Sequence, residues 1–164
     1  QTDKLLKDYL SMVTDKPDVK YPDEKTAWMY FERGLFLIVD MFRNEDAFRV
    51  YNRKLLQDVI ADNVSYIEMR GFLPTLTDIN GTEYPERYTI QLYKEVSEQI
   101  KKENPGFIGM SYIVSGFKFN DNERIKQLLN ITVALQREFG ANFVPGFDLV
   151  GEEMKGYPVK HFAQ

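Results

Sequence analysis

Three short apolar runs, each followed by a polar or glycine-bearing segment, constrain the fold more than any other feature of this sequence. The runs span 64–70, 107–114 and 142–150 and are rich in β-branched and aromatic residues, which is typical of β-strands. Helical patterns separate them, over 85–102 and 120–140. Strands that alternate with helices of this length predict parallel βαβ units joined by right-handed crossovers. The predicted fold class is therefore α/β.

Two further helices are predicted ahead of the first strand. Apolar residues recur every three or four positions from Asp23 to Arg43, and this spacing places Trp28 and Phe31 on one stripe of a helix. Asn44 is a typical cap for a second helix, which ends near residues 62–63. Residues 1–23 combine a short amphipathic stretch with two prolines and predict an irregular connection.

Three parallel strands are too few for a complete domain of this class. A parallel sheet is normally covered on both faces, and more strands or closure into a barrel are needed to hide its edges. The strands recur roughly every 40 residues, close to the repeat of a β/α barrel of about 250 residues. We therefore predict that residues 1–164 form one partial barrel domain. The chain opens with Gln1, and it is expected to be a processed molecule or a piece of a longer one.

The composition argues against several classes of function. The net charge is −4 and no basic cluster exceeds Lys101–Lys102, so no nucleic-acid binding is expected. The longest apolar run, Leu35–Val39, is far shorter than the ~20 residues of a membrane span. The sequence has no cysteine and a single histidine, His161, which is expected to be an ordinary exposed residue. Sites built from several imidazoles or thiolates are thereby excluded, and no metal site is expected on this chain.

The carboxyl ends of the strands carry function in parallel α/β folds. Here these ends read Glu68–Gly71, Ser115–Phe117 and Asp148–Glu153. The third end contains Gly151, and a glycine after an apolar strand lets a planar ligand approach a backbone N–H because no Cβ intervenes. The neighbouring acids could accept hydrogen bonds from such a ligand.

Each of these residues also has a purely structural interpretation. Glu68 and Arg70 can form an ion pair under the rim of a barrel. Ser115 can belong to a strand-to-helix turn, and Glu152–Glu153 can form a solvated acidic loop. Trp28 can be a core residue or can line a pocket near the start of its helix. Residue types alone leave both interpretations open.

Three sites match the acceptor pattern for N-linked glycosylation, which is consistent with a secreted glycoprotein. They begin at Asn63, Asn80 and Asn130. Asn80 lies in a predicted turn and is the favoured acceptor, whereas Asn130 lies within a predicted helix.

Three segments resemble a known family. They are Asp62–Arg70, Asn104–Gly109 and Gly146–Glu153, of which the last is the most specific. Together with Thr26–Phe31 and the spacing between the motifs, they resemble the adenosine deaminase-related growth factors, the secreted branch of the adenosine deaminases. The resemblance covers nearly the whole chain but only a middle portion of the family's domain, about strands two to four.

The resemblance implies a secreted, zinc-dependent (β/α)8 barrel that converts adenosine or deoxyadenosine with water to the inosine product and ammonia. It also implies a growth-factor-like effect through extracellular adenosine. In the family, histidines on strands one and five and an aspartate on strand eight hold zinc, and a His-Ala-Gly-Glu motif supplies the proton-transferring glutamate. None of these motifs occurs here, so no catalytic residue is assigned and the chain alone is expected to be inactive. The family's larger members dimerise through an added N-terminal region, so the intact protein is expected to be a homodimer.

Three substrate-binding residues follow from the resemblance. Gly151 matches a glycine whose backbone N–H faces the purine N3, and Trp28 matches a tryptophan near the ribose. Ser115 falls where the family has polar pocket residues, although Gly116–Phe117 and Met154 depart from the polar pair and the acid expected there. Two alternatives stay open: a non-catalytic binding or signalling module derived from the deaminase, and an unrelated α/β ligand-binding domain.

Overall fold

The computed structural model describes residues 2–163, in which helices pack against a small parallel sheet. In chain order the elements are α1 (Thr2–Leu10), α2 (Pro17–Lys20), α3 (Glu24–Met41), α4 (Glu45–Ala61), β1 (Tyr66–Gly71), β2 (Leu76–Thr77), β3 (Glu83–Tyr84), α5 (Glu86–Glu103), β4 (Gly109–Phe117), α6 (Asn122–Phe139), β5 (Phe147–Val150) and a final 3₁₀ turn (Val159–Phe162). The four long helices begin and end within about two residues of the bounds predicted from periodicity. Their side-chain caps include Asn44 for α4 and Asp121 for α6.

The sheet has the order β1-β4-β5, and both pairs of neighbouring strands are parallel. α5 crosses over from β1 to β4, and α6 crosses over from β4 to β5. The predicted α/β class with parallel βαβ units is thereby confirmed. This arrangement is compatible with part of a β/α barrel, in which the remaining strands would continue the sheet on either side.

Both crossover helices pack on the same face of the sheet, which we call the outer face. The ring of Tyr93 in α5 lies 4.5 Å from the ring of Tyr112 in β4. Further along β4, a Cβ built on Gly116 would lie only 3.0 Å from the side chain of Ile125 in α6. Because alternate residues of a strand point to opposite faces, Met110, Tyr112, Val114 and Gly116 share the outer face.

The hydrophobic core lies between the outer face and helices α4, α5 and α6. Its fully buried members include Leu56 of α4, Ile90, Leu92 and Ile100 of α5, and Val114 of β4. Burial of these aliphatic side chains is the main stabilising contribution, at about 1.5–3 kcal/mol for each one. The inward positions predicted for α5 are confirmed by their burial.

A polar network joins α4 to α5 beside this core. Arg49 donates hydrogen bonds to Glu45 at 3.2 Å and to Glu95 at 2.9 Å. Glu95 also accepts from Gln91 at 2.8 Å, and Glu45 accepts from the hydroxyl of Tyr88 at 2.7 Å. The hydrogen bond from Gln91, followed by the Arg49 interaction, lowers the pKa of the Glu95 carboxyl.

Three regions differ from the sequence-based expectation. β4, predicted over 107–114, spans Gly109–Phe117, so Ser115 lies within the strand and not in a strand-to-helix turn. The segment after β1, predicted to be a loop, contains a short antiparallel hairpin that pairs Leu76 with Tyr84. The last strand, predicted to begin at residue 142, begins at Phe147. The intervening residues form a turn in which the N–H groups of Phe143 and Val144 both donate to the carbonyl of Gly140 at 3.0 Å.

Candidate functional site

A cleft of about 380 Å³ opens where the carboxyl ends of the three parallel strands meet α3. The helix contributes Trp28, Phe31 and Leu35, and the strand ends contribute Phe72, Phe117 and Gly151. Another depression, of about 410 Å³, lies at the opposite, amino-terminal end of the sheet. The cleft at the carboxyl ends is the candidate site, because that end of a parallel sheet carries function.

Aromatic rings form the walls of this cleft. Phe117 stacks on Phe72 with ring centres 4.0 Å apart and on Phe119 with centres 4.6 Å apart. Trp28 and Phe31, about one turn apart on α3, meet edge to face with ring centres 5.5 Å apart. Stacked and edge-on rings of this kind suit a planar aromatic ligand. The sequence analysis did not identify Phe72, which lines the cleft, or Phe119, which stacks on Phe117 but is not a lining residue. Their positions just beyond the ends of β1 and β4 were the available signal.

Gly151 occupies a backbone conformation that favours glycine. It directly follows β5, and its φ is +123°, in the left-handed half of conformational space. The nearest atom to a Cβ at this position would be a ring carbon of Phe117 at 3.7 Å, an ordinary contact. The backbone angle, and not a lack of space, therefore requires glycine here.

Trp28 lies in the first turns of α3 and is half-buried at the mouth of the cleft. The start of the helix is fixed by Asp23, whose carboxylate accepts a hydrogen bond from the N–H of Thr26 at 2.7 Å. That hydrogen bond also lowers the pKa of Asp23. Of the two interpretations offered by the sequence, the structure supports the pocket-lining position for Trp28.

Ser115 is a buried residue of β4 and does not line the cleft. It is 2% exposed and belongs to the face of β4 opposite the helices, which we call the inner face. Its hydroxyl oxygen is buried and has no hydrogen-bond partner within residues 2–163. A substrate contact by Ser115 stays a prediction.

The charged residues around the strand ends pair differently from the sequence-based expectation. The predicted ion pair between Glu68 and Arg70 is wrong: Arg70 instead donates to Asp148 at 2.7 Å, across the inner face. Glu68 accepts a long hydrogen bond of 3.4 Å from Ser111, its register partner on β4. Side chains on other strands, β5 for Arg70 and β4 for Glu68, therefore supply the partners, and not residues two apart on one strand.

The acidic pair after Gly151 is split between two environments. Glu153 is exposed, and its carboxylate accepts from the ammonium of Lys118 at 2.5 Å. Glu152 is 5% exposed. Its Oε2 forms an ion pair with the ammonium of Lys155 but makes no hydrogen bond of normal geometry within the described residues. The solvated acidic loop predicted from the sequence therefore describes Glu153 but not Glu152.

The residues present do not fit a zinc site. In the described part of the chain, no three His, Cys, Asp or Glu side chains converge in a way that could hold a metal ion. His161 stacks on Tyr157 with ring centres 4.2 Å apart, in the turn at the end of the described chain. In addition, no helix within residues 2–163 combines the length and apolar character of a membrane span.

Comparison with known proteins places the cleft in context. No family model matches the chain. An adenosine deaminase of Phlebotomus duboscqi is 33% identical over 165 residues, which cover 100% of this chain and 32% of that protein. The adenosine deaminase 2 of Homo sapiens is 30% identical over 162 residues, which cover 99% of this chain and 31% of that protein. The chain thus spans about a third of the length of the curated relatives it matches.

The parallel sheet with its crossover helices defines an α/β fold that is compatible with part of a β/α barrel. The similarity extends along the whole chain, and an adenosine deaminase of Aedes albopictus is likewise 31% identical over 98% of it. The chain is therefore related to the adenosine deaminases and corresponds to a part of them. The resemblance stated from the sequence motifs is confirmed.

Proposed function

We propose that this chain is the substrate-side portion of a secreted, zinc-dependent adenosine deaminase. The intact protein would be a (β/α)8 barrel of the growth-factor type, to which residues 1–164 contribute about strands two to four. It would convert adenosine or deoxyadenosine and water to the corresponding inosine and ammonia, and it would act as a homodimer. The observation that carries the proposal is the aromatic cleft with Gly151 and Trp28, in a chain related throughout to deaminases.

The residues of the cleft have distinct roles in this proposal. The backbone N–H of Gly151 donates a hydrogen bond to a ring nitrogen of the purine, because no side chain blocks the approach. Trp28 packs against the sugar at the mouth of the cleft, and Phe117 excludes water from one side. Ser115 does not line the cleft, and it is kept as the third proposed contact on the resemblance alone; its buried hydroxyl has no protein partner in the described residues.

Zinc would be supplied by parts of the intact protein other than this chain. When bound, zinc lowers the pKa of a water molecule and so provides the nucleophile for hydrolysis. Within residues 2–163, the carboxylates and the single histidine do not converge on a metal. We therefore propose that residues 1–164 alone release no ammonia from adenosine and bind no stoichiometric zinc. One tightly held zinc per isolated chain, found by elemental analysis, would contradict this.

The deciding experiment is the intact mass of the protein in its native source. An antibody raised to residues 107–123 would capture it for mass spectrometry and for an ammonia-release assay with adenosine and deoxyadenosine. A species much larger than 19.3 kDa that deaminates adenosine is expected. A larger species without deaminase activity would reject the enzyme proposal, and a species at 19.3 kDa plus glycans would show that no barrel is completed.

A non-catalytic binding or signalling module is the second candidate, and the open edges of the sheet favour it. Within the described residues, β1 and β5 each lack a neighbour on one side. A stand-alone module would have to cover these edges, for example by dimerisation. Analytical ultracentrifugation separates the candidates: a defined dimer of the isolated chain supports the module, and a monomer or indefinite association supports the enzyme segment.

A further inference from the structure

The structure separates the three glycosylation sequons by their local conformation. The sequons begin at Asn63, Asn80 and Asn130. Transfer of an N-linked glycan requires the asparagine amide and the hydroxyl two residues later to be accessible together on a surface loop. We propose that Asn80 is a site of N-linked glycosylation. The inference rests on the proposed secretory route and not on deaminase activity.

Asn80 lies at the tip of the β2–β3 hairpin, where its sequon is exposed. Asn80, Gly81 and Thr82 are all exposed, and nothing lies within 4 Å of a Cβ built on Gly81. The carboxylate of Asp78 organises the turn by accepting from the N–H groups of Asn80 at 2.9 Å and Thr82 at 2.8 Å. The Asp78 carboxylate and backbone groups thus hold the turn, and among the described residues no hydrogen bond of the turn uses the Asn80 side chain. A glycan attached to that side chain would extend into solvent without disturbing the hairpin.

The sequon at Asn130 has the opposite geometry. It lies in the middle of α6, and its hydroxyl residue, Thr132, is 5% exposed. The Thr132 hydroxyl donates to the carbonyl of Leu128 at 2.7 Å, within the helix. The amide and the hydroxyl therefore face different environments in the folded chain, so this sequon serves as the internal comparison.

The sequon at Asn63 is exposed but belongs to a tight junction between α4 and β1. Asn63 has a φ of +62°, and its N–H donates to the carbonyl of Ile60. The carbonyl of Ser65 accepts from the N–H of Ile108 at 2.7 Å, at the start of the parallel sheet. A glycan here would meet the loop after α5, because Asn63, Ser65 and Pro105 line the same depression.

The chemistry of the modification is a group transfer. A C–N bond forms between Nδ2 of Asn80 and the anomeric carbon of a lipid-diphosphate-linked oligosaccharide. The anomeric C–O bond to the diphosphate breaks, the diphosphate leaves with the electron pair, and one amide proton passes to a base. The side chain gains a large hydrophilic group and no charge.

The test uses the full chain behind a cleavable secretion signal in a eukaryotic host, so that its natural route does not affect the result. Tryptic peptides of the secreted protein are treated with an amidohydrolase that removes N-glycans, in heavy-oxygen water, and analysed by mass spectrometry. Asn80 is expected to be converted to aspartate with incorporation of heavy oxygen. An unmodified Asn80 peptide from secreted protein would overturn the proposal, and this readout needs no variant that folds.

Matched variants strengthen the test. Asn80→Gln and Thr82→Ala are each expected to abolish the glycosidase-sensitive change in mobility, whereas Thr82→Ser, which keeps the sequon, retains it. Asn130→Gln is expected to leave the mobility unchanged. A shift that persists in Asn80→Gln and disappears in Asn63→Gln or Asn130→Gln would reject Asn80 as the acceptor. Capture of the native protein tests secretion separately, through its location outside the cell.

Discussion

Helices α5 and α3 have the same length, 18 residues, but opposite relations to the rest of the molecule. α5 buries seven residues, among them Leu92 and Ile100, although its overall composition is polar. α3 is richer in apolar residues, yet Gly34 is its only buried one in the described chain. The contrast shows that the number of apolar residues in a helix does not determine how many of them are buried. A residue is buried only where another element of the chain packs against its side of the helix.

The two faces of the sheet repeat this contrast. The outer face carries Met110, Tyr112 and Val114 under the crossover helices, and all three are buried. The inner face carries the exposed Glu68 and Arg70 on β1 and is not covered by the crossover helices. A sheet of parallel strands is normally covered on both faces. On the inner face, Glu68 and Arg70 of β1 are exposed while Ser111 and Ser115 of β4 are buried. The exposed β1 side of this face and the exposed apolar side chains of α3 therefore agree with a chain that corresponds to part of a larger domain.

The largest predicted effect tests the contrast with one substitution in each helix. Leu92→Ala in α5 is expected to lower the free energy of unfolding by about 2–5 kcal/mol, because it opens a cavity at a fully buried position. Leu37→Ala in α3, where the side chain is 43% exposed, is expected to cost less than about 1 kcal/mol. Urea denaturation of both variants measures the difference.

Equal losses in the free energy of unfolding from Leu92→Ala and Leu37→Ala would contradict the contrast between α5 and α3. A sharper version uses the complete barrel of the proposed function. If α3 packs against the remainder of a barrel there, Leu37→Ala is expected to become as costly as Leu92→Ala.

The second prediction concerns the cleft between α3 and the strand ends. Gly151→Ala is expected to destabilise the chain by about 1–3 kcal/mol, because alanine tolerates the positive φ poorly. Gly140→Ala is the matched control, since Gly140 also has a positive φ, +93°, but caps α6 away from the cleft. Adenosine binding is expected to weaken about tenfold in Gly151→Ala, or about 1.4 kcal/mol, and to stay unchanged in Gly140→Ala.

Trp28 supplies the signal for this measurement because it is the single tryptophan of the chain and lies in the cleft. A change in its fluorescence on titration with adenosine reports occupancy directly. The same weakening in both glycine variants would mean that folding strain, and not the cleft, controls binding.

The sequence predicted the burial of residues in α5, which has packing partners in this chain, far better than the burial of residues in α3, which has fewer of them. Periodicity identified Leu92, Val96 and Ile100 as inward, and all three are buried, because the partner elements are encoded in the same chain. Periodicity also identified the stripe of Trp28 and Phe31, but Phe31 is 46% exposed. A spacing of three and four residues defines a helix face and contains no information about what covers it.

Details of the candidate site were predicted less completely, since they depend on contacts between distant segments. Gly151 was identified because a glycine directly after an apolar strand can be recognised from the local sequence alone. The stacking of Phe72 on Phe117 depends on the register of β1 with β4, and the partner of Arg70 lies two strands away on β5. The hairpin at Leu76 was missed because two-residue strands are too short to show a period.

A third, smaller effect is predicted for the inner face. Arg70 and Asp148 form an ion pair whose side chains are 63% and 32% exposed. A pair in this setting is expected to contribute no more than about 1 kcal/mol and to weaken as salt is added. A double-mutant cycle with Arg70→Met and Asp148→Asn, measured at low and high salt, tests this. A coupling energy that is large and independent of salt would show that the inner face is as well shielded as the outer one.

The smallest predicted effect is a pH dependence of stability that arises from Glu95 in α5, a helix on the outer face of the sheet. Hydrogen bonds from Gln91 and Arg49 lower the pKa of Glu95 below its ordinary 4.5 in the folded state. Because the folded pKa is lowered, the carboxylate stabilises the fold above pH 4.5, and this contribution is lost as the pH falls through the lower, folded value. Glu95→Gln is therefore expected to reduce the loss of stability between pH 5 and pH 3, by about 1 kcal/mol or less, since the side chain is 37% exposed. Glu98→Gln, at an exposed position on the same helix, is the control. If both variants lose less stability than the unsubstituted chain between pH 5 and pH 3, the net charge of α5 and not the Arg49 network produces the effect.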